Sequence, residues 1–227
     1  MFEYEFPRPA VAADIAAFAL DNGKLKILLV RRGVEPFLGE WALPGGFVLE
    51  DETIEACAAR ELREETGVDG ESLIQFGIYS EPGRDPRKWI ISIAYVTAVH
   101  LAQVVLKSGT DAAAAEWFSV DQLPAVLAFD HHDIIKDAIE ALRNNALLLE
   151  RQRRDVPVLA FRLLGETFSL SALQAAVEVI VGNERDKRNF RKQVVEHWLE
   201  PTGTVSTGRH RPALNYRLRP KDPGLHE

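Results

Sequence analysis

The chain of 227 residues holds one cysteine, so no disulfide can form within it. Its fold must rest on buried apolar surface, and a reducing compartment is expected. That cysteine, Cys57, is expected to be a small packing residue rather than a nucleophile. No apolar run reaches the ~18 residues that a spanning helix needs, so no membrane partner is expected. No secretory signal is expected either. The first 18 residues, MFEYEFPRPAVAADIAAF, are acidic where a secretory signal would be basic. The cytoplasm is the expected location. What remains is ordinary for a soluble globular chain: 46% apolar and 27% charged residues.

Positive charge is scarce in one part only. Residues 1–150 carry 13 Lys and Arg against 25 Asp and Glu, and residues 151–227 carry 14 against 9. The split predicts two domains, 1–150 and 151–227, with different partners. The basic one is a candidate nucleic-acid binder.

The densest pattern is Gly46 to Val68, GFVLEDETIEACAARELREETGV. Its alanines, leucine and glutamates favour helix, and Gly67 is a natural stop. Glu61, Glu64 and Glu65 then share one face at i, i+3 and i+4. Like charges so placed repel by roughly 0.2–0.5 kcal/mol per pair, which invites a cation. Carboxylate oxygens suit Mg2+ or Mn2+. Arg60 falls four residues before Glu64 and can hold it. Glu52 is expected to start the helix, where the dipole favours a negative charge. The whole stretch resembles the Nudix box: G, five residues, E, seven residues, REL, any residue, EE, any residue, G, apolar. An acidic solvated helix face would explain the charges but not the glycines and Arg60 at these spacings. The resemblance implies an α/β fold, a Nudix α-β-α sandwich with a mixed sheet. It implies a metal site at the Gly45 carbonyl, Glu61, Glu64 and Glu65, with Arg60 and Glu52 orienting the carboxylates. The ligand would be a diphosphate linked to a nucleoside.

Around the box, Ala10–Leu20 and Lys24–Arg32 read as strands joined by Asp21-Asn22-Gly23, a hairpin signal. Ser72–Ser80 and Ile90–Val99 are β-rich. Between them, Arg84-Asp85-Pro86-Arg87 resembles a segment of the ADP-ribose branch of Nudix proteins, although a polar connecting loop has the same composition. The resemblance implies ligand contacts from Arg31, Arg32, Phe37, Arg84 and Arg87. It also implies an acid outside the box that handles water in hydrolytic members; Asp111 and Glu116 are both candidates. Asp130–Leu148 reads as a helix with Asp130 as N-cap. His131 and His132 read as cap-region residues before metal ligands.

Beyond Pro157, Ser171–Val181 and Lys187–Leu199 read as helices, the second capped by Asp186. Phe190, Val194 and Trp198 would face inward. Pro201-Thr202-Gly203 would turn the chain into two short strands, Thr204–Leu218. The pattern looks like a winged helix-turn-helix. DNA contacts are expected from Lys187, Arg188, Asn189, Arg191 and Lys192 on the helix, and from Arg209, His210 and Arg211 at the hairpin tip. A small helical domain with a solvated basic face is the alternative. Pro36–Phe47, Arg84–Arg87, Leu127–Ile135, Phe168–Gln174, Asp186–Lys192 and Arg211–Leu218 together resemble the NrtR family, Nudix-related regulators of NAD metabolism. That implies a homodimer that represses NAD genes at double-stranded operator DNA and is released by ADP-ribose or a related nucleotide. Related branches answer to sugars. The intact box keeps a Mg2+-dependent ADP-ribose pyrophosphatase as the alternative.

Overall fold

The computed structural model of the chain describes residues 5–70, 72–106, 112–150, 157–206 and 212–220. It divides into two compact units, Met1–Ala141 and Leu142–Glu227.

The first unit is built on a seven-stranded sheet. β1 (Ala10–Asp21) and β2 (Lys24–Arg32) form the predicted hairpin. Asn22 and Gly23 turn it at φ 49° and 75°, left-handed values that Asn and Gly tolerate. The Gly/Pro loop supplies two short strands, β3 (Trp41–Ala42) and β4 (Gly45–Phe47). β5 (Ile74–Tyr79), β6 (Ile90–Ala98) and β7 (Ala112–Ser119) complete the sheet. The order is β3-β2-β1-β6-β5, with β4 on β1 and β7 on β2. The β1–β6 pair is parallel and the other pairs are antiparallel, so the sheet is mixed. β7 opens on alanines, which carry little strand signal. Its pairing with β2 from Lys26 onward supplies what propensity does not.

One edge of β1 is paired with β6 along most of its length. Its other edge is shared. Ala12–Asp14 pair with β4, and Phe18–Asp21 pair with β2. This changeover brings Gly45 beside Asp14. β1 is buried from Ala13 to Ala19, so both faces of the sheet are covered. On one face lies α1 (Ile54–Thr66), which packs Cys57, Ala58 and Leu62 against Ala13, Ile15 and Ala17. A large aliphatic side chain buried in this way contributes about 1.5–3 kcal/mol. α2 (His131–Leu147) buries Ile134, Ile135 and Ala138. It is tied to β5 by the Tyr79 hydroxyl, which donates to Asp137 at 2.9 Å. The boundary between the units falls inside α2.

The caps correct two sequence expectations. Thr53, not Glu52, caps α1: its hydroxyl accepts from the Ala56 amide at 3.2 Å. Glu52 lies one residue earlier, and its carboxylate is turned toward Arg60. At the start of α2, the Asp130 carboxylate is taken by Arg84 rather than by the helix amides. The C-terminal stop of α1 is as expected, with Gly67 at φ 75° and its amide bonded to Arg63.

The second unit contains α3 (Val158–Arg162), β8 (Phe168–Ser169), α4 (Leu170–Val181), α5 (Lys187–His197), β9 (Leu199–Ser206) and β10 (Ala213–Leu218). The strands form an antiparallel sheet in the order β8-β10-β9. α4 buries Leu173, Ala176, Val177 and Ile180 at helical spacing. Asp186 caps α5 by accepting from the Asn189 amide at 2.8 Å. α5 ends at His197, two residues earlier than its apolar pattern predicts. Trp198 is the C-cap, and Leu199 already belongs to β9. Pro201-Thr202-Gly203 is therefore part of a strand and not a turn. A register shift opposite it, between Leu214 and Tyr216, absorbs the irregularity. Arg219 locks this piece together. Its amide bonds to Trp198, and its guanidinium donates to the carbonyls of Val195, Glu196 and Leu199 at 2.8–3.1 Å. The first two are carbonyls that a helix end leaves unpaired. Among the described residues no helix is long and apolar enough to cross a membrane.

Candidate functional site

The box carboxylates meet a protein cation. Arg60 donates to Glu52 at 2.6 Å, to Glu61 at 2.6 Å and to Glu64 at 3.2 Å. One guanidinium thus answers the repulsion read from the sequence. Through it the Glu52 carboxyl is held down at about 2. Glu65 points elsewhere and accepts from the Gly45 amide at 3.0 Å. Burial pushes its carboxyl up to about 7, with the Gly45 amide opposing and Glu61 adding. Burial raises Glu61 as well. Cys57 is buried, and its thiol is pushed up to about 12, which suits packing and not nucleophilic attack.

The two box-side glycines are fixed by these carboxylates. A Cβ on Gly46 would lie 2.3 Å from a Glu61 oxygen. A Cβ on Gly45 would lie 2.2 Å from the Ala13 carbonyl and 2.9 Å from an Asp14 oxygen. Only glycine lets β4 pass between β1 and α1 here.

Beside this cluster opens a cavity of about 340 Å³, within the usual range for small-molecule sites. Its lining includes Gly45, Gly46, Glu61 and Glu65 from the box region. Four of the five residues expected to touch ligand line it as well: Arg31, Arg32, Arg84 and Arg87. Their environments differ. Arg84 is buried and binds Asp130 through two bonds of 2.6 and 2.8 Å, with Asp14 at 3.6 Å. Arg87 is paired with the buried Asp85 at 2.6 Å. Arg31 and Arg32 donate only to loop carbonyls, of Gly39 and of Pro36 and Val34. Among the described residues neither has a carboxylate within ion-pair distance. Burial, then the charge of Arg87, lowers the Arg32 guanidinium from its ordinary value. An anion entering the cavity would relieve that repulsion.

The fifth expected residue, Phe37, packs edge-on against Phe129 at 4.9 Å between centroids and is not among the lining residues. The aromatic walls are instead Phe129 and Phe47, neither foreseen. Arg32 sits 4.9 Å from the Phe129 ring, and Arg87 sits 5.1 Å from Phe47 and 5.5 Å from Phe129. Asp14 and His131 were also missed as site residues. His131 is buried; its Nδ1 accepts from the Leu43 amide at 2.8 Å, which leaves Nε2 as the protonated nitrogen, facing Asp14 at 3.6 Å. Burial lowers its pKa, so it stays neutral. It braces the start of α2 against the β3 loop. His132 is exposed. Asp14 did leave a signal, a lone carboxylate inside the apolar run Val11–Leu20. Glu116 is an exposed residue of β7 outside the cavity lining, and Asp111 lies outside the described residues.

In the second unit, Lys187, Arg188, Asn189 and Lys192 are exposed on α5, while Phe190 and Val194 are buried. Arg191 is different. Its guanidinium reaches back to the Ser171 hydroxyl on α4 at 2.8 Å. Arg209, His210 and Arg211 lie outside the described residues.

Comparison with known proteins fits both units. The NUDIX domain family matches residues 10–141, and the NrtR DNA-binding winged helix domain matches residues 160–218. The chain is 33% identical over 222 residues to the ADPR responsive transcriptional repressor NtrR of Acinetobacter baylyi, covering 96% of this chain and 85% of that protein. It is 48% identical over 129 residues to the ADP-ribose pyrophosphatase of Methanocaldococcus jannaschii, covering 57% of this chain and 72% of that one. The structure of Shewanella oneidensis NrtR complexed with a 27mer DNA superposes with TM-score 0.74 at 33% identity, over 92% of this chain and 93% of that one. The NUDIX domain of the same Shewanella protein complexed with ADP ribose gives TM-score 0.55 at 33% identity, over 60% of this chain and 90% of that one.

Proposed function

The chain belongs to the NrtR family, Nudix domains joined to a DNA-binding winged helix, and we propose that it is an ADP-ribose-responsive repressor of NAD metabolism genes. The observation that carries this reading is the pairing, in one chain, of a cavity containing two arginines with no carboxylate partner among the described residues and a winged helix with an exposed basic helix. A diphosphate suits Arg31 and Arg32, since each guanidinium offers a planar fork of donors. The aromatic walls Phe47 and Phe129 suit the flat and apolar parts of a nucleotide. In the second unit, Lys187, Arg188 and Lys192 supply the charge that phosphates attract. The working form is a cytoplasmic homodimer, whose two-fold symmetry would match a palindromic operator. Ligand releases DNA only if it binds better to the arrangement that cannot hold DNA.

A second reading rests on the unbroken box and the similarity to a pyrophosphatase: slow hydrolysis of the same ligand. The donor set is chemically suited to Mg2+ or Mn2+, being the Gly45 carbonyl and the oxygens of Glu61, Glu64 and Glu65. A divalent cation held there would neutralise the diphosphate and favour attack by water. Among the described residues no three His, Cys, Asp or Glu side chains are gathered as a metal cage, and Arg60 pairs with Glu61 and Glu64. Arg60 and Glu52 orient these carboxylates, and Arg31 and Arg32 hold the diphosphate.

A gel shift on the protein's own upstream DNA, with and without ADP-ribose, tests the first reading. The expected result is a specific band that ADP-ribose abolishes, and absence of any specific band sinks it. AMP release in Mg2+, measured against a Glu64→Gln control, tests the second.

A further inference from the structure

Viewed down its axis, the exposed side of α5 divides lengthwise by chemistry. Arg188 and Lys192, at i and i+4, form a basic edge. Asn189 and Gln193, also at i and i+4, form a neutral amide edge, and Glu196, i+7 from Asn189 and i+4 from Lys192, lies between the two near the end of the helix. All five residues are exposed. Among the described residues none of the five side chains has a hydrogen-bond or ion-pair partner; in particular Glu196 does not pair with Lys192, although their spacing allows it.

This division gives the helix an orientation on nucleic acid. A phosphate backbone draws positive charge, and the two edges differ in it. The edge with Arg188 and Lys192 is the right one. The amides add no charge and gain nothing from counterion release. What they offer is a donor and an acceptor on one planar group. That pattern matches N6 and N7 of adenine in the major groove. Both ends of the helix are fixed, by the Asp186 cap and by the Arg219 guanidinium on the last carbonyls, so the two amides are presented on a rigid support.

We propose that Asn189 and Gln193 are the specificity-determining residues of α5, each reading one adenine in the major groove of the operator half-site, while Arg188 and Lys192 hold phosphates. Residues one turn apart on a helix have Cβ atoms about 5–6 Å apart, so the two adenines lie within about two base pairs of each other. This rests on the DNA-binding reading above.

The test is selection of binding sites from a pool with a randomised half-site. It uses the full chain, Asn189→Ala, Gln193→Ala and Arg188→Ala, followed by salt titration of each on the wild-type site. The wild type should select adenines at two positions. Each amide variant should lose the preference at one of them, by about tenfold, with an unchanged salt slope. Arg188→Ala should keep both preferences and lower the slope by about one. Amide variants that keep the wild-type preferences, or that lower the slope, overturn the assignment. A wild type that selects no sequence would instead overturn the DNA-binding reading itself.

Discussion

Replacing Glu65 by Gln should make the metal-free protein more stable at pH 8 and leave it nearly unchanged at pH 4.5. The Glu65 carboxyl is mostly buried against β4, and in the folded chain it stands at about 7. In the unfolded chain it stands near its ordinary value of about 4.3. Between these values the unfolded state has released its proton and the folded state has not. Stability therefore falls as pH rises through that window and stays lowered above it. At roughly 1.4 kcal/mol per pH unit, the loss amounts to about 4 kcal/mol. Gln has no proton to lose, and its amide oxygen can still accept from Gly45. For a chain of this length the gap between variant and wild type should open to about 8–16 °C in melting temperature at pH 8. Melting curves in EDTA at pH 4.5, 6 and 8 measure it. If the two proteins run parallel across that range, Glu65 is not a carboxyl held protonated by burial, and the reasoning fails. Adding Mg2+ at pH 8 should raise the wild type and not the variant, if Glu65 is a metal ligand.

Gly46→Ala should displace Glu61 and cost about 1–3 kcal/mol, read by urea unfolding; it should also weaken ADP-ribose binding in Mg2+, read by calorimetry. Arg84→Ala leaves Asp130 unpaired and removes the cation nearest Asp14 in a buried place, so a loss of about 3–5 kcal/mol is expected in the same assay. Arg84→Lys should recover only part of it, since an ammonium cannot make both bonds to Asp130. Arg219→Ala removes two bonds to the end of α5 and one to the start of β9. It should weaken operator binding in a gel shift without changing the salt slope, because Arg219 acts by holding the helix and not by touching phosphate.

The box could be read from the sequence because its residues are close along the chain and a helix converts spacing directly into a shared face. The hairpin at Asn22-Gly23 and the cap Asp186 were legible for the same local reason. The other half of the cavity was not. Asp14, Phe129 and His131 reach it through pairings between distant segments, such as His131 with Leu43 across 88 positions. No local pattern announces such contacts. The arginines were recognisable by type, but not by availability. Arg84 and Arg31 look alike in sequence, yet one is committed to Asp130 and the other is not. Trp198 misled because an apolar residue at helical spacing continues the pattern even where the backbone has already left the helix.

Arg60 gives the box a resident counterion. The charge of the acidic cluster is thus partly answered before any metal binds, since Arg60 pairs with Glu52, Glu61 and Glu64. A sensor built this way keeps its background steady. Metal would then act on what Arg60 leaves over, the Glu65 carboxyl, which takes no part in that pairing.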